Sequence, residues 1–171
     1  MPSASVIRTI GAPVHDIWTV LADIENARRW NPSWKEIEMI STQTHGAGTR
    51  FRARVDEKQA FDFEVAEWVV PEFIAFAPIR DPMEPLYSIT LEGHAFRLSK
   101  IDEQTTSVEL FAYASSHGFR GLIMGLFMWK GHQRPGLSRA LDHLQALFEP
   151  DKVNIEDEED LEVLESEADS K

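Results

Sequence analysis

From Trp34 to Ser116 the chain repeats one pattern: apolar and polar residues alternate, β-branched and aromatic side chains recur, and short groups of turn residues close each run. A period of two puts successive side chains on opposite faces of a strand, so this stretch reads as β-structure rather than helix. WKEIEMIST and TRFRARV flank the turn signal HGAG, and TRFRARV and AFDFEVAEW flank DEKQ. EFIAFAP, LYSITLEGHAFRLS and TTSVELFAYASS follow, with DEQT between the last two. Six strands in a row predict an antiparallel sheet made of successive hairpins.

Pairing across the second hairpin predicts which face is wet. With Arg54 opposite Asp62 and Arg52 opposite Glu64 on one side, Val55 meets Phe61, Ala53 meets Phe63 and Phe51 meets Val65 on the other. Opposite charges facing one another make a solvated surface, so Arg50, Arg52 and Arg54 read as ion-pairing residues and not as a binding patch. In FDFEVAEWVV the apolar parity passes from Phe61, Phe63 and Val65 to Trp68 and Val70, the slip a β-bulge produces.

Helices bracket the strands. After the strand ASVIRTI, residues Val14, Ile17, Trp18 and Leu21 fall at i, i+3, i+4 and i+7, with Pro13 and Asp16 suited to a helix start. This predicts an amphipathic helix of about three turns, broken near Asn31-Pro32 because a residue before proline is pushed out of the α region. Near the end Leu137, Leu141, Leu144 and Phe148 make the strongest helical stripe in the chain. Strand, helix, six strands and helix amount to an α+β domain: a curved antiparallel sheet of about seven strands around a long C-terminal helix, with one or two short helices after the first strand.

Charge divides the chain into a domain, residues 1–148, and an acidic tail, residues 149–171. The net charge is −12, of which −9 lies from Glu149 onward, leaving the domain near −3. Nothing supplies the basic face a nucleic-acid partner requires. The tail's dense like charge predicts self-repulsion and disorder; Leu161, Val163 and Leu164 leave room for a weak motif toward a protein partner of unknown kind. The absence of cysteine rules out disulfides, thiolate metal clusters and a cysteine nucleophile, and with no basic, long apolar N-terminal run the expected location is cytoplasmic.

Reactive constellations are sparse. His15, His45, His94, His117, His132 and His143 have no metal-binding spacing, so no metal is expected, and no glycine-rich phosphate loop points to a nucleotide cofactor. Ser138, Asp142 and His143 hold the residue types of a catalytic triad, but Asp142 and His143 diverge by about 100° on a helix and read as surface residues. His94 shares parity with Phe96 and Leu98 and points beneath the sheet on that reading, where it would act as a general acid/base; the alternative is a polar residue at a bend beside Gly93. Tyr87 and Tyr113 would orient a ligand through their hydroxyls, or simply pack. The apolar face carries Phe51, Phe63, Trp68, Phe76, Tyr87, Phe96 and Phe119, more than one helix covers, which permits a dense core or a cavity.

IWTVLADIENARRWNPSWKEIEMI followed by GAGTRFR and a terminal helix resembles the START-like (SRPBCC) superfamily, in particular its polyketide cyclase/dehydrase branch. The carriers are Ile17, Trp18, Leu21, Asp23, Trp30, Asn31, Pro32, Trp34, Gly46, Gly48 and Phe51, and the likeness spans residues 4–148. It implies a helix-grip fold whose cavity holds lipids, polyketides, sterols or other hydrophobic molecules, and the fold hosts carriers, sensors, cyclases and co-chaperones alike. On this basis a small hydrophobic molecule is the expected partner, lined by Phe51, Phe63, Trp68, Phe76, Tyr87, His94, Phe96, Phe119, Ile123 and Phe127; cyclase chemistry and a protein-adaptor role are the alternatives.

GLIMGLFMW is too short to span a membrane, which takes about twenty apolar residues. Residues 119–129 would serve as the front of the core helix, as an interfacial helix in transient contact with a membrane, or as a lid. Pro135-Gly136 is expected to break the helix behind them.

Overall fold

The computed structural model describes residues 3–79, 89–116 and 130–152. β1 (Ser3–Ile10) leads into α1 (Val14–Ala22) and a 3-10 helix (Ile24–Arg29). Six strands follow: β2 (Glu36–Met39), β3 (Arg50–Arg54), β4 (Ala60–Val69), β5 (Phe73–Pro78), β6 (Ile89–Asp102) and β7 (Thr105–Ser116). α2 (Lys130–Ala146) and a 3-10 turn (Pro150–Lys152) complete the described chain.

The seven strands form one antiparallel sheet in the order β1-β7-β6-β5-β4-β3-β2. β2 to β7 are a meander, and β1 closes its end by pairing with β7. Burial alternates along β3, where Phe51 and Ala53 are sealed between exposed arginines. Along β7, Thr106, Val108, Leu110 and Ala112 are buried on the inner side. The expected bulge lies in β4 between Val65 and Glu67, where the register with β5 shifts. It turns Trp68 toward α1, and its ring meets Trp18 edge-on at 5.2 Å.

The β3–β4 register differs from the expectation by two residues. Arg50 faces Glu64, Arg52 faces Asp62, Phe51 faces Phe63 and Ala53 faces Phe61. The Arg50 and Arg52 Nε atoms each lie 2.7 Å from their carboxylates, while Arg54 reaches Glu36 on β2 at 3.0 Å. The turn decides this: Val55 N–H donates to the Gln59 carbonyl at 2.9 Å, and Asp56 Oδ1 accepts from the backbone N–H groups of Lys58 and Gln59 at 2.7 and 2.8 Å. The aspartate closes the reversal early, as Asx turns do. Because the slip is even, every side chain stays on its predicted face.

α1 is shorter than expected, nine residues or about two and a half turns, because the chain tightens into the 3-10 segment after Asp23. Ile17, Trp18 and Leu21 face the core as their spacing predicts. α2 packs against β1 and β7 through Leu137, Ala140, Leu141 and Leu144, all buried. Burial contributes about 1.5–3 kcal/mol for each of those leucines.

Pro135 does not end α2, contrary to expectation: the helix runs from Lys130 through Pro135 to Ala146. Proline in a helix interior removes one hydrogen bond and costs about 3 kcal/mol, a local penalty that the buried stripe beyond it offsets. Ser138 and Asp142 are half-buried rather than free on the surface. Arg8 of β1 donates from Nε to Asp142 Oδ1 at 3.0 Å and from Nη2 to Ser138 Oγ at 2.8 Å, clamping helix to sheet. Structure also continues past residue 148. The Glu149 carboxylate accepts from Lys152 and from Gln145 Nε2, and these bonds, with one from the Gly11 backbone, hold it at a pKa of about 2.

Candidate functional site

The inner face of the sheet, beside the 3-10 helix, carries the densest aromatic cluster among the described residues. Its entry is a sequence device. In Asn31-Pro32-Ser33-Trp34 the Trp34 N–H donates to the Asn31 carbonyl at 3.1 Å, a reversal that suits asparagine at the first position and proline at the second. The turn drops Trp30 and Trp34 onto the sheet side by side, ring centroids 5.3 Å apart.

Trp34 is the hub. Its ring also meets Phe51 at 5.6 Å, Phe63 at 5.5 Å, Phe76 at 6.5 Å and His94 at 5.7 Å. Trp30 sits edge-on to Phe96 at 5.0 Å and tilted to Phe76 at 6.1 Å. Such pairs contribute about 0.5–1.5 kcal/mol each beyond the area they bury. Phe51, Phe63, Phe76 and Phe96, all expected to line a ligand space, are buried here together. Trp68 belongs instead to the Trp18 contact at the bulge, flanked by His45 at 6.5 Å.

His94 lies on the inner face, stacked on Phe76 at 5.1 Å with Phe63 edge-on at 5.7 Å. Gly93 makes this placement workable. Its φ is +151°, and a Cβ there would fall 2.3 Å from the Phe76 carbonyl oxygen, so only glycine lets β5 and β6 approach where the β6 register shifts. The residue as a whole is only half-buried, yet Nε2 is shut off from solvent and has no hydrogen-bond partner. Burial pushes the imidazole pKa down to about 4, so the ring is neutral at pH 7. The Trp30 indole Nε1 is likewise buried and unpartnered. An unmade hydrogen bond of this kind costs about 1–3 kcal/mol.

Tyr113 has the opposite strand parity to the inner-facing residues of β7. It shares the outward parity of Glu109 and Phe111 on β7, with its ring 6.3 Å from Phe111 and its hydroxyl against Gly93 on the outer side of the sheet. An odd offset from Ala112 and Leu110, which face inward, dictates this. Tyr87, Phe119, Ile123 and Phe127 lie outside the described residues. Trp30 and Trp34 stood out in the sequence only as carriers of the family pattern; no periodicity marks a residue delivered by a loop.

A broad-mouthed cleft of about 720 Å³ at the β4–β5 turn is a different feature. It is lined by Val14, Phe73, Glu67, Glu72, Arg97 and Lys100 among others, and no ring of the aromatic cluster borders it. Among the described residues no helix is long and apolar enough to cross a membrane.

The profile of the family "polyketide cyclase / dehydrase and lipid transport" matches residues 1–149. The fold is similar to that of a protein from Thermobifida fusca solved by solution NMR (14% identity, 89% of this chain and 96% of that one, TM-score 0.65). It is similar to a START superfamily protein from Mycobacterium smegmatis (15% identity, 86% and 97%, TM-score 0.62). The Zhui aromatase/cyclase from Streptomyces sp. R1128 also aligns (17% identity, 91% and 97%, TM-score 0.61). No curated protein matches the sequence. With residues 1–149 of the 171 matched, the chain belongs to the polyketide cyclase / dehydrase and lipid transport family.

Proposed function

We propose that this protein binds a small hydrophobic molecule against the inner face of its sheet, as a carrier or sensor. The observation that carries the reading is the cluster of Trp34, Phe51, Phe63 and Phe76 closed around a neutral imidazole. Recognition sites for apolar molecules have this composition, aromatic walls with few polar groups. Native mass spectrometry and organic extraction of the purified chain, with thermal shift against a lipid and polyketide panel, test it. Co-purification of an apolar molecule, or a rise in Tm with one, is expected; neither occurring overturns the reading.

An enzymatic reading is supported by the structural likeness to the Zhui aromatase/cyclase. His94 would be its acid/base group. Two observations weigh against it. A base with a pKa near 4 is far from the range where proton transfer at neutral pH is efficient, and Tyr113 lies across the sheet from the imidazole. Loss of turnover in His94→Phe, once a substrate is found, would restore it.

A further inference from the structure

The cleft at the β4–β5 turn is unused by the function proposed above, and so is the apolar run Leu161, Val163 and Leu164 of the acidic tail. The fold roots the tail at the cleft's end of the molecule. Glu149 takes a hydrogen bond from the Gly11 backbone, which fixes the start of the tail beside the β1–α1 corner. In the register of the sheet Ile10 lies opposite Thr106, and Thr106 lies opposite Lys100, a residue that lines the cleft. Two strand spacings, about 10 Å, separate Ile10 from Lys100. Val14, another lining residue, stands three positions after Gly11. Leu161 follows Lys152 by nine residues, a reach of about 30 Å when extended, so the run can enter the cleft with chain to spare.

The cleft offers both apolar surface and positive charge. Val69, Pro71, Phe73 and Leu98 line it, and Val69, its neighbour Val70 and Ile101 beside Lys100 are each about half exposed. Charge is split between the walls: Arg97 and Lys100 stand on β6, the side nearer the tail root, and Glu67 and Glu72 on the β4–β5 side. Neither cation pairs with either glutamate. Arg97 reaches Glu109 at 3.1 Å and Lys100 reaches Glu103, exposed pairs that exchange partners at little cost. We propose that residues 160–165, DLEVLE, fold back into this cleft as an intramolecular strap, their carboxylates toward β6 and their aliphatic side chains against Val14 and Phe73. The attraction is local to the β6 wall, since it fades beyond a Debye length of about 8 Å at physiological ionic strength. Tethering holds the segment near the cleft at an effective concentration on the order of millimolar, so a contact too weak to form between separate chains forms within one.

The chain has no cysteine, so Ser166→Cys gives the full-length protein a single attachment point for a nitroxide spin label next to the run. NMR amide intensities are compared before and after the nitroxide is reduced. The amides of Val69, Glu72 and Lys100 are expected to lose most of their intensity while the nitroxide is intact. Those of Lys35 and Arg54, cations at the opposite end of the sheet, should keep theirs. Adding Leu161→Ser and Leu164→Ser to the labelled chain should restore the cleft intensities. All three altered positions follow residue 149, the last of the family match, so the domain is left untouched. Absence of loss at the cleft, loss spread evenly over the surface, or loss centred on Lys35 overturns the proposal, as does a serine variant that loses as much as its parent. A mixture of isotope-labelled wild-type chain with unlabelled, spin-labelled chain should show no loss. Loss at the cleft in that mixture would mean that the strap comes from a second copy, and the intramolecular contact would be refuted.

Discussion

Replacing His94 with phenylalanine keeps a flat ring in the aromatic box and removes its titration, so comparing the two chains across pH isolates one proton. In the unfolded chain the imidazole binds that proton near its ordinary pKa of 6.5; in the folded chain burial holds it off until about pH 4. Between those values the unfolded state carries more protons, and stability must fall as pH falls through the window. Worked from those two values, the loss relative to pH 7.5 is about 1.3 kcal/mol at pH 5.5, growing toward a ceiling of about 3 kcal/mol below pH 4. The lower point stays above the sequence pI of 4.9, where solubility would fail. Urea unfolding followed by tryptophan fluorescence at pH 7.5 and 5.5 on both chains measures the difference, and the other titrating groups cancel. The wild-type chain should lose about 1.3 kcal/mol more than His94→Phe. Parallel losses, within about 0.3 kcal/mol, would mean that the folded imidazole protonates at an ordinary pKa and that Nε2 already has a polar partner.

Three further outcomes follow from the geometry. Gly93→Ala sets a Cβ 2.3 Å from the Phe76 carbonyl at a φ of +151°, so unfolding free energy should drop by about 2 kcal/mol or more, and a loss under about 0.5 kcal/mol would show that β6 relaxes freely there. Pro135→Ala restores a helical hydrogen bond inside α2 and should stabilise the chain by about 1–3 kcal/mol, seen as a higher Tm; an unchanged Tm would mean the proline costs nothing where it sits. Arg8→Ala should cost about 1 kcal/mol, discounted for a clamp one-third exposed, and a double-mutant cycle with Asp142→Asn should show coupling; strictly additive losses would remove the clamp from the account.

Side-chain facing is a local property, and the sequence by itself determined it: parity alone placed Phe51, Phe63, Phe76 and Phe96 on one side of the sheet, and the parity slip located the β4 bulge. The leucine stripe of α2 followed from a period of 3.6 in the same way. Register did not follow, because a two-residue slip leaves every face unchanged, and Asp56 in the turn chose between alignments that the pattern treats as equal. Tyr113 shares the strand parity of Glu109 and Phe111 rather than that of Ala112, a distinction that residue type alone does not carry. What only the tertiary structure decided joins residues far apart in the chain: Arg8 with Ser138 and Asp142, and Trp34 with Phe63 and His94. Periodicity carries no information about such pairs, and none at all about the two unpaired atoms of Trp30 and His94, since being without a partner is a property of the folded surroundings rather than of either residue.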